Sequence, residues 1–327
     1  MNRRIAAVLL GLMLIAQLII TGCSAQSNAI SEDKINVYTS FYPLYDFASR
    51  IGGEHVQVTS LVPAGVDPHD WSPKSQDIIQ LSKAQLFIHN GAGFDDWWVE
   101  DLLTSLGESK PKVVTASEGI ELIPADGEGA GHDHGSEEDE HLHGNELNEH
   151  DHGDYDPHVW LSPLNAMRMA ENILGGLIAV DPEHEADYRA NFEQFSEELK
   201  ALHEEYMAVV EQAGRLEFVT SHQAFAYLAR DYGLTQLSIM GLSTEAEPTS
   251  QDMMKIMAFI REHGVRYILY EELSSPKIAK TLAEDLGIEM LPLNPIEGLT
   301  PEQEAAGENY VSLMRHNLRS LELALQE

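Results

Sequence analysis

Short β-type runs alternate with helical stretches in two separate parts of this chain, and this alternation constrains its fold more than any other feature. The strand-like runs are 35–40, 55–62, 86–89 and 112–115 in the first part, and 217–220, 237–239, 267–270 and 290–293 in the second. Helical periodicity fills most of the sequence between them, and a closing helix is predicted over 302–325. The pattern predicts an α/β fold of two lobes, each with a parallel sheet covered by helices.

Residues 181–213 separate the two parts and predict one long, rigid linker helix. Between 182 and 211 apolar side chains recur at alternating intervals of four and three, with no interior glycine or proline. About 30 residues at 1.5 Å each span roughly 45 Å, enough to join two lobes. A coiled-coil dimer seam is the alternative, but about four heptads with several aromatic residues favour packing along the helix's own chain.

Residues 132–154, HDHGSEEDEHLHGNELNEHDHGD, cannot contribute to a hydrophobic core. They contain six histidines, nine carboxylates and no lysine or arginine. The histidines are His132, His134, His141, His143, His150 and His152. Such a composition cannot offset its own ordering entropy, so a disordered, solvated loop is predicted over 125–156.

The first residues resemble a bacterial lipoprotein signal. Two arginines precede an apolar run over 5–20, which ends at Thr21-Gly22-Cys23 before a small polar stretch. We therefore expect a signal peptide and lipobox over 1–23, lipidation of Cys23, and a flexible spacer over 24–34. A retained membrane anchor with a free thiol is the alternative. Either way the folded part, with lobes at 35–180 and 214–327, is expected outside the cytoplasmic membrane.

The charge balance argues against a nucleic-acid partner. The chain has 54 acidic and 20 basic residues and a formal net charge of -34, so a phosphate backbone would be repelled. A cationic ligand fits better, although excess acid also serves solubility alone.

Three histidines stand in similar local settings and are candidate metal ligands. They are His69 in VDPHDWSP, His158 in DYDPHVWLSP and His222 in VTSHQAFAYLA. Each lies in a loop before a helix, at the carboxyl-end rim of a predicted sheet, where open α/β folds bind ligands. Neutral imidazoles from separate loops suit zinc.

Zinc ordinarily takes four ligands, so a further donor is needed. Glu271 and Glu272 end the strand YILY, and Glu297 lies in LPLNPIEGL after the last strand. All three are at strand ends, and position alone does not choose between them. The remaining histidines outside the acidic loop lack such a context and are expected to be ordinary surface or core residues: His55, His89, His184, His203, His263 and His316.

Together these segments resemble a known family, the metal-binding receptors of ABC importers, which are solute-binding lipoproteins of the zinc and manganese type (cluster A-I). The resemblance covers about 34–325 and rests on VYTSFYPLYDFASRIGG, VPAGVDPHDWSP, DPHVWLSP, TSHQAFAYLA, YEELSSPKIAKTLAEDLG and LPLNPIEGLT. It implies two α/β lobes joined by a rigid helix, with one metal in the cleft between them.

The resemblance also implies roles for individual residues. The ligands would be His69 and His158 from the first lobe, His222 from the second, and Glu297, while Glu271 would orient a ligand. Manganese receptors of this kind commonly have a carboxylate where this chain has His222. Zinc is therefore the expected ion, with manganese or another divalent ion as the alternative.

A monomeric receptor that delivers Zn²⁺ to an ABC permease with a cytoplasmic ATPase is the function implied. Histidine-rich loops before the second ligand are typical of the zinc branch, and this one is expected to provide weak, exchangeable zinc sites. A merely solubilising loop is the alternative.

A zinc hydrolase is the main hypothesis from another class. Its common helical signature HExxH is absent, because His203-Glu204 and His184-Glu185 both lack the second histidine. No phosphate-binding glycine loop or nucleophile elbow is present either, so no enzymatic activity is expected. No adhesive module is recognisable, and adhesion would be at most a secondary role.

Overall fold

The computed structural model describes residues 30–125, 154–242 and 248–326, and the alternating runs form two sheets there. The first sheet has the order β2-β1-β3-β4 and contains β1 (Ile35–Thr39), β2 (Val56–Ser60), β3 (Leu86–His89) and β4 (Lys112–Thr115). The second has the order β6-β5-β7-β8 and contains β5 (Glu217–Thr220), β6 (Thr235–Ser238), β7 (Tyr267–Tyr270) and β8 (Glu289–Pro292). Every strand pairing in these two sheets is parallel. The prediction of two α/β lobes is confirmed.

Helices connect and cover the strands. The first lobe has α1 (Tyr42–Gly52), α2 (Ser75–Leu81), α3 (Asp96–Leu106) and α4 (Pro163–Val180). After the linker helix α5 (Glu185–Glu211) come α6 (Ala226–Tyr232), α7 (Ser250–His263), α8 (Lys277–Leu286), α9 (Pro301–Ala306) and α10 (Tyr310–Leu325). Within those three described ranges, no helix combines the length and the apolar character needed to cross a membrane.

The inner strands of each sheet, β1, β3, β5 and β7, are mostly buried because both faces of the sheet are covered. All four residues of β3 (LFIH) are buried. In the second lobe, Val219 and Ile268 of the sheet pack in one core with Ile256 and Ile260 of α7 and Leu282 of α8. Burying each large aliphatic side chain contributes about 1.5–3 kcal/mol, so these cores hold the strand ends in fixed positions.

The linker helix α5 uses its apolar face within its own chain. Its buried residues are Tyr188, Phe195, Leu199, Leu202 and Tyr206. The helix contacts α1 and α4 of the first lobe and also α10, which follows the second sheet. A coiled-coil seam would need this same face, so the packing favours a linker over a dimer interface. The helix begins at Glu185, because a 3₁₀ turn occupies Pro182–His184.

The predicted closing helix over 302–325 is wrong as a single element. The structure divides it into α9 and α10, because Gly307 adopts a left-handed conformation with φ 73°. Asn309 then caps α10, and its side chain accepts a hydrogen bond from the backbone N–H of Ser312 at 3.0 Å. Hydrophobic periodicity does not register such a break, whereas a glycine followed by an asparagine cap is its local signal.

Most of the predicted loop 125–156 and the whole predicted signal segment, with Cys23, lie outside the described residues. At the ends of the loop, Pro124 pairs with Tyr155 as an isolated bridge. The backbone N–H of Asp156 donates to the carbonyl of Ile123 at 2.8 Å, and Asp156 is fully buried. The prediction of a solvated loop therefore does not hold for Asp156, which belongs to the folded lobe.

Gly175 and Gly176 of α4 should respond oppositely to the same substitution. A Cβ at Gly176 would lie 2.5 Å from Cγ2 of Val114 on β4, whereas a Cβ at Gly175 would have no atom within 4 Å. We expect Gly176→Ala to lower the free energy of unfolding by about 1 kcal/mol or more, since overpacking outweighs the gain in helix propensity. Gly175→Ala should raise it by about 0.5–1 kcal/mol. Urea unfolding measures both, and equal effects would contradict the packing of α4 on β4.

Candidate metal centre

Four side chains from four loops meet where the two sheets end. His69 follows β2 and His158 follows β4 in the first lobe, while His222 lies two residues after β5 and Glu297 follows β8 in the second. One nitrogen or oxygen atom from each lies within 4.8 Å of those of the other three. The structure thus brings together the three histidines and the carboxylate that sequence analysis named.

The two Asp-Pro-His triplets fold in the same way. The side chain of Asp67 accepts a hydrogen bond from the backbone N–H of His69 at 2.9 Å, and that of Asp156 does the same for His158 at 2.9 Å. A 3₁₀ turn, Pro68–Asp70 or Val159–Leu161, includes or directly follows the histidine. The aspartate therefore fixes the turn that presents each imidazole, a role that sequence analysis missed although the repeated triplet was its signal.

Three of the distances between the donor atoms match those of a tetrahedral zinc site. Oε1 of Glu297 lies 3.2 Å from Nε2 of His69 and 3.4 Å from Nε2 of His158. Nε2 of His158 lies 3.4 Å from Nε2 of His222. Four ligand atoms about 2.0–2.1 Å from a central zinc ion would lie about 3.3–3.4 Å apart. A small tetrahedral cation therefore fits between these atoms.

Carboxylates behind two of the histidines fix which nitrogen faces the cluster. Nδ1 of His158 lies 2.9 Å from Oδ1 of Asp156, and Nδ1 of His222 lies 2.5 Å from Oε1 of Glu271. A carboxylate accepts the Nδ1 proton, so a neutral ring directs an Nε2 lone pair at the other donors. Both rings are fully buried. Converging lone pairs in such a site are stabilised by a cation.

The three candidate glutamates have different environments. Glu297 lies in the four-atom cluster, whereas Oε1 of Glu271 also accepts a hydrogen bond from Ser221 Oγ at 2.8 Å. Oε2 of Glu272 accepts one from Gln303 Nε2 at 2.7 Å. Glu271 is thus placed to orient His222, while Glu272 contacts α9.

The pKa values of the clustered groups reflect their mutual attraction. Burial lowers the pKa of His158, but Asp156 and Glu297 outweigh it and raise this pKa to about 9. Burial would raise the pKa of Glu297, yet the surrounding histidines hold it well below its usual range. Without metal, the cluster therefore contains a carboxylate and bound protons, which a cation must displace.

A second group, His89, Asp95 and Asp96, also has metal-ligand chemistry, but protein hydrogen bonds already occupy it. His89 Nε2 lies 2.9 Å from Thr115 Oγ1 and His89 Nδ1 lies 3.2 Å from Asp95 Oδ1. The Asp95 carboxylate also accepts backbone N–H groups of the turn after β3, including that of Asn90 at 2.7 Å. His89 and Asp95 therefore stabilise the turn after β3. The six histidines of the acidic loop lie outside the described residues.

Comparisons with known proteins agree on one family. The sequence profile described as "Zinc-uptake complex component A periplasmic" matches residues 37–324. The high-affinity zinc uptake system protein ZnuA of Bacillus subtilis is 39% identical over 321 residues, which are 96% of this chain and 97% of that protein. Zinc-binding protein AdcA of Streptococcus pyogenes is 36% identical over 318 residues, which are 97% of this chain.

The streptococcal relatives are longer proteins. The chain spans 61% of the S. pyogenes AdcA and 58% of the AdcA of Streptococcus pneumoniae. The crystal structure of the Zn(II)-bound ZnuA-like domain of S. pneumoniae AdcA superimposes with a TM-score of 0.74 at 33% identity, covering 90% of this chain and 100% of that domain. The similarity thus extends over the whole ZnuA-like domain.

Removing the carboxylate behind His222 should weaken metal binding without removing a donor atom. We expect Glu271→Ala to lower zinc affinity about 10–100-fold, because the ring loses the acceptor that fixes its Nδ1 proton and its orientation. Competition with a fluorescent zinc chelator measures the change. Glu284→Ala is the matched control, since it removes an exposed carboxylate from α8 of the same lobe, and it should bind nearly as tightly as the wild type. Equal losses in both variants would contradict the role of Glu271.

Zinc binding should release at least one proton at pH 7. With its pKa raised to about 9, His158 holds a proton there in the metal-free protein, and a histidine that binds a metal must be neutral. Apparent affinity should therefore fall as the pH decreases below about 9, by roughly tenfold per unit for each displaced proton. Calorimetry in buffers of different ionisation enthalpy measures the proton count. A binding enthalpy at pH 7 that is the same in every buffer would contradict this expectation.

Proposed function

The chain belongs to the family of zinc-uptake complex component A, and on this premise we propose that it is an extracytoplasmic receptor that binds one Zn²⁺ tightly and delivers it to an ABC importer. The observation that supports this proposal most strongly is the cluster of four buried donor atoms, all within 4.8 Å of one another. The proposed ligands are His69, His158, His222 and Glu297. The family is one of zinc-uptake receptors rather than enzymes, in agreement with the prediction from sequence. Four protein donors also complete a zinc shell, leaving no position for a reacting water.

Zinc is the proposed cargo rather than manganese. Three imidazole nitrogens and one carboxylate oxygen form a borderline-soft set, and three of the distances between them, 3.2–3.4 Å, suit a tetrahedron. Manganese prefers oxygen donors in octahedral sites. The two relatives compared above carry zinc in their names, which supports the same choice.

Delivery requires a partner that can open the site. Zinc uptake in this family is carried out by a complex. We propose that the partner is a membrane permease with a cytoplasmic ATPase. Lipidation of Cys23 would anchor the receptor, as a monomer, on the outer side of the cytoplasmic membrane. One relative, from S. pneumoniae, is named a zinc-binding lipoprotein, which supports the anchor.

The histidine-rich segment is proposed to collect zinc near the tight site. It contains six histidines within 132–154 and no competing basic residue. Such donors form several weak sites that exchange rapidly, and the negative charge around them raises the local concentration of cations. This role requires no defined fold of the segment.

Calorimetric titration with zinc should separate one tight site from weaker ones. We expect the full chain to bind one Zn²⁺ tightly, followed by additional weak binding. Deletion of residues 130–153 should retain the tight site and remove the weak phase. His222→Ala should weaken the tight site about 100-fold or more, because it removes a ligand and leaves three donors. Competition with manganese on the same proteins should leave zinc bound.

The control is His316→Ala, since the His316 side chain is 48% exposed and lies outside the cluster. This variant should bind zinc like the wild type. Undiminished affinity of His222→Ala would show that the ligand assignment is wrong. Loss of the tight site upon deletion of 130–153 would place that site in the loop instead.

A further inference from the structure

The segment that carries Glu297 has an unusual backbone. Ile296, its immediate neighbour, has φ 58° and is fully buried. A β-branched residue rarely adopts this left-handed conformation. Such a conformation persists only where surrounding contacts hold it in place. The contacts on this segment therefore determine the direction in which the Glu297 side chain points.

One set of contacts comes from the second lobe itself. The side-chain Oδ1 of Asn294 accepts a hydrogen bond from the backbone N–H of Ile296 at 2.6 Å. Asn317 of α10 in turn binds both backbone groups of Asn294, at 2.7 Å to its N–H and 2.6 Å to its carbonyl. These bonds fix the start of the segment and leave the Pro295 carbonyl to be held from the other side.

That carbonyl is held by the first lobe. Nε1 of Trp160 donates a hydrogen bond to the oxygen of Pro295 at 2.7 Å. Trp160 is fully buried and lies two residues after His158, in the same 3₁₀ turn that follows this ligand. Tyr310 Oη donates to the carbonyl of Trp160 at 2.5 Å, which fixes the turn from α10. One indole thus joins the backbone of the His158 turn to the backbone of the Glu297 segment.

We propose that Trp160 is a positioning residue for the fourth metal ligand: its indole N–H fixes the Pro295 carbonyl, keeps Ile296 left-handed and so directs the Glu297 carboxylate at the three imidazoles. This inference rests on the proposed function, which assigns Glu297 as a ligand. Without the bond, the peptide after Pro295 can rotate and Ile296 can relax to negative φ. The carboxylate then turns away from His158, whose Nε2 it approaches to 3.4 Å.

Two replacements at position 160 test this role. Trp160→Phe removes the donor and part of the ring, and benzothienylalanine introduced at 160 replaces the indole N–H by sulfur while keeping the shape. We expect both to weaken zinc binding about 10–100-fold, the usual effect of losing an outer hydrogen bond to a metal site. Tyr206→Phe is the control, because it removes an equally buried bond, from Tyr206 Oη to the Met314 carbonyl at 2.8 Å, outside the ligand loops. It should leave affinity unchanged.

A double-mutant cycle and cobalt spectra distinguish positioning from general stability. If Trp160 acts through Glu297, Trp160→Phe should cost little further affinity when combined with Glu297→Ala. Cobalt(II) bound to either position-160 variant should lose the intense visible absorption of four-coordinate cobalt, whereas the Tyr206→Phe complex should keep it.

The outcomes separate the two proposals. If Glu297→Ala alone binds zinc as tightly as the wild type, the ligand assignment of the proposed function fails. If Glu297→Ala weakens binding but the benzothienylalanine variant does not, the inference about Trp160 is overturned. It is also overturned if Trp160→Phe weakens binding equally with and without Glu297, because the effect would then pass through the His158 turn.

Discussion

The two Nε2 atoms of His158 and His222 face each other at 3.4 Å, and the rest of the site depends on this approach. With their Nδ1 atoms directed at Asp156 and Glu271, the two rings place their Nε2 atoms against each other, which is unfavourable without a proton or cation between them. Burial strengthens the repulsion between the two Nε2 atoms, because both rings are removed from water. The folded protein therefore holds the arrangement that a bound cation stabilises.

The two lobes have the same architecture, and this brings their ligand loops together. Both sheets have the same strand order, and all their strands are parallel, so the loops that follow the strands meet at corresponding edges. His222 and Glu271 follow β5 and β7, the neighbouring strands between which the order of strand addition reverses in the second sheet. Hydrogen bonds between the lobes complete the frame, including that from Tyr227 Oη to the Asp156 carbonyl at 2.7 Å. The backbone of the residue whose carboxylate orients His158 is thus held by the second lobe.

Sequence patterns were sufficient for the strands, the linker helix and the three histidines, because periodicity and repeated local motifs report them directly. They were not sufficient to choose between Glu271, Glu272 and Glu297, which all follow strands. Which of the three reaches the cluster depends on the left-handed Ile296 and on contacts with residues more than a hundred positions away, such as Trp160. The break at Gly307 was missed for a related reason: hydrophobic spacing continues across it, while the backbone conformation changes at one residue.

The same contacts constrain how a bound cation could leave the site. The linker helix packs on helices of both lobes, and Trp160 and Tyr227 bond across the lobes beside the site. Wide opening of the cleft between the lobes would expose these apolar faces and break buried hydrogen bonds. Each buried donor or acceptor left without a partner costs about 1–3 kcal/mol. Movement of a single ligand loop costs less. The loop before His69 is exposed at residues 63–65, unlike the enclosed turns of His158 and His222. We therefore expect release through displacement of this loop, with the lobes nearly fixed, because losing one of four donors already opens the shell of the ion.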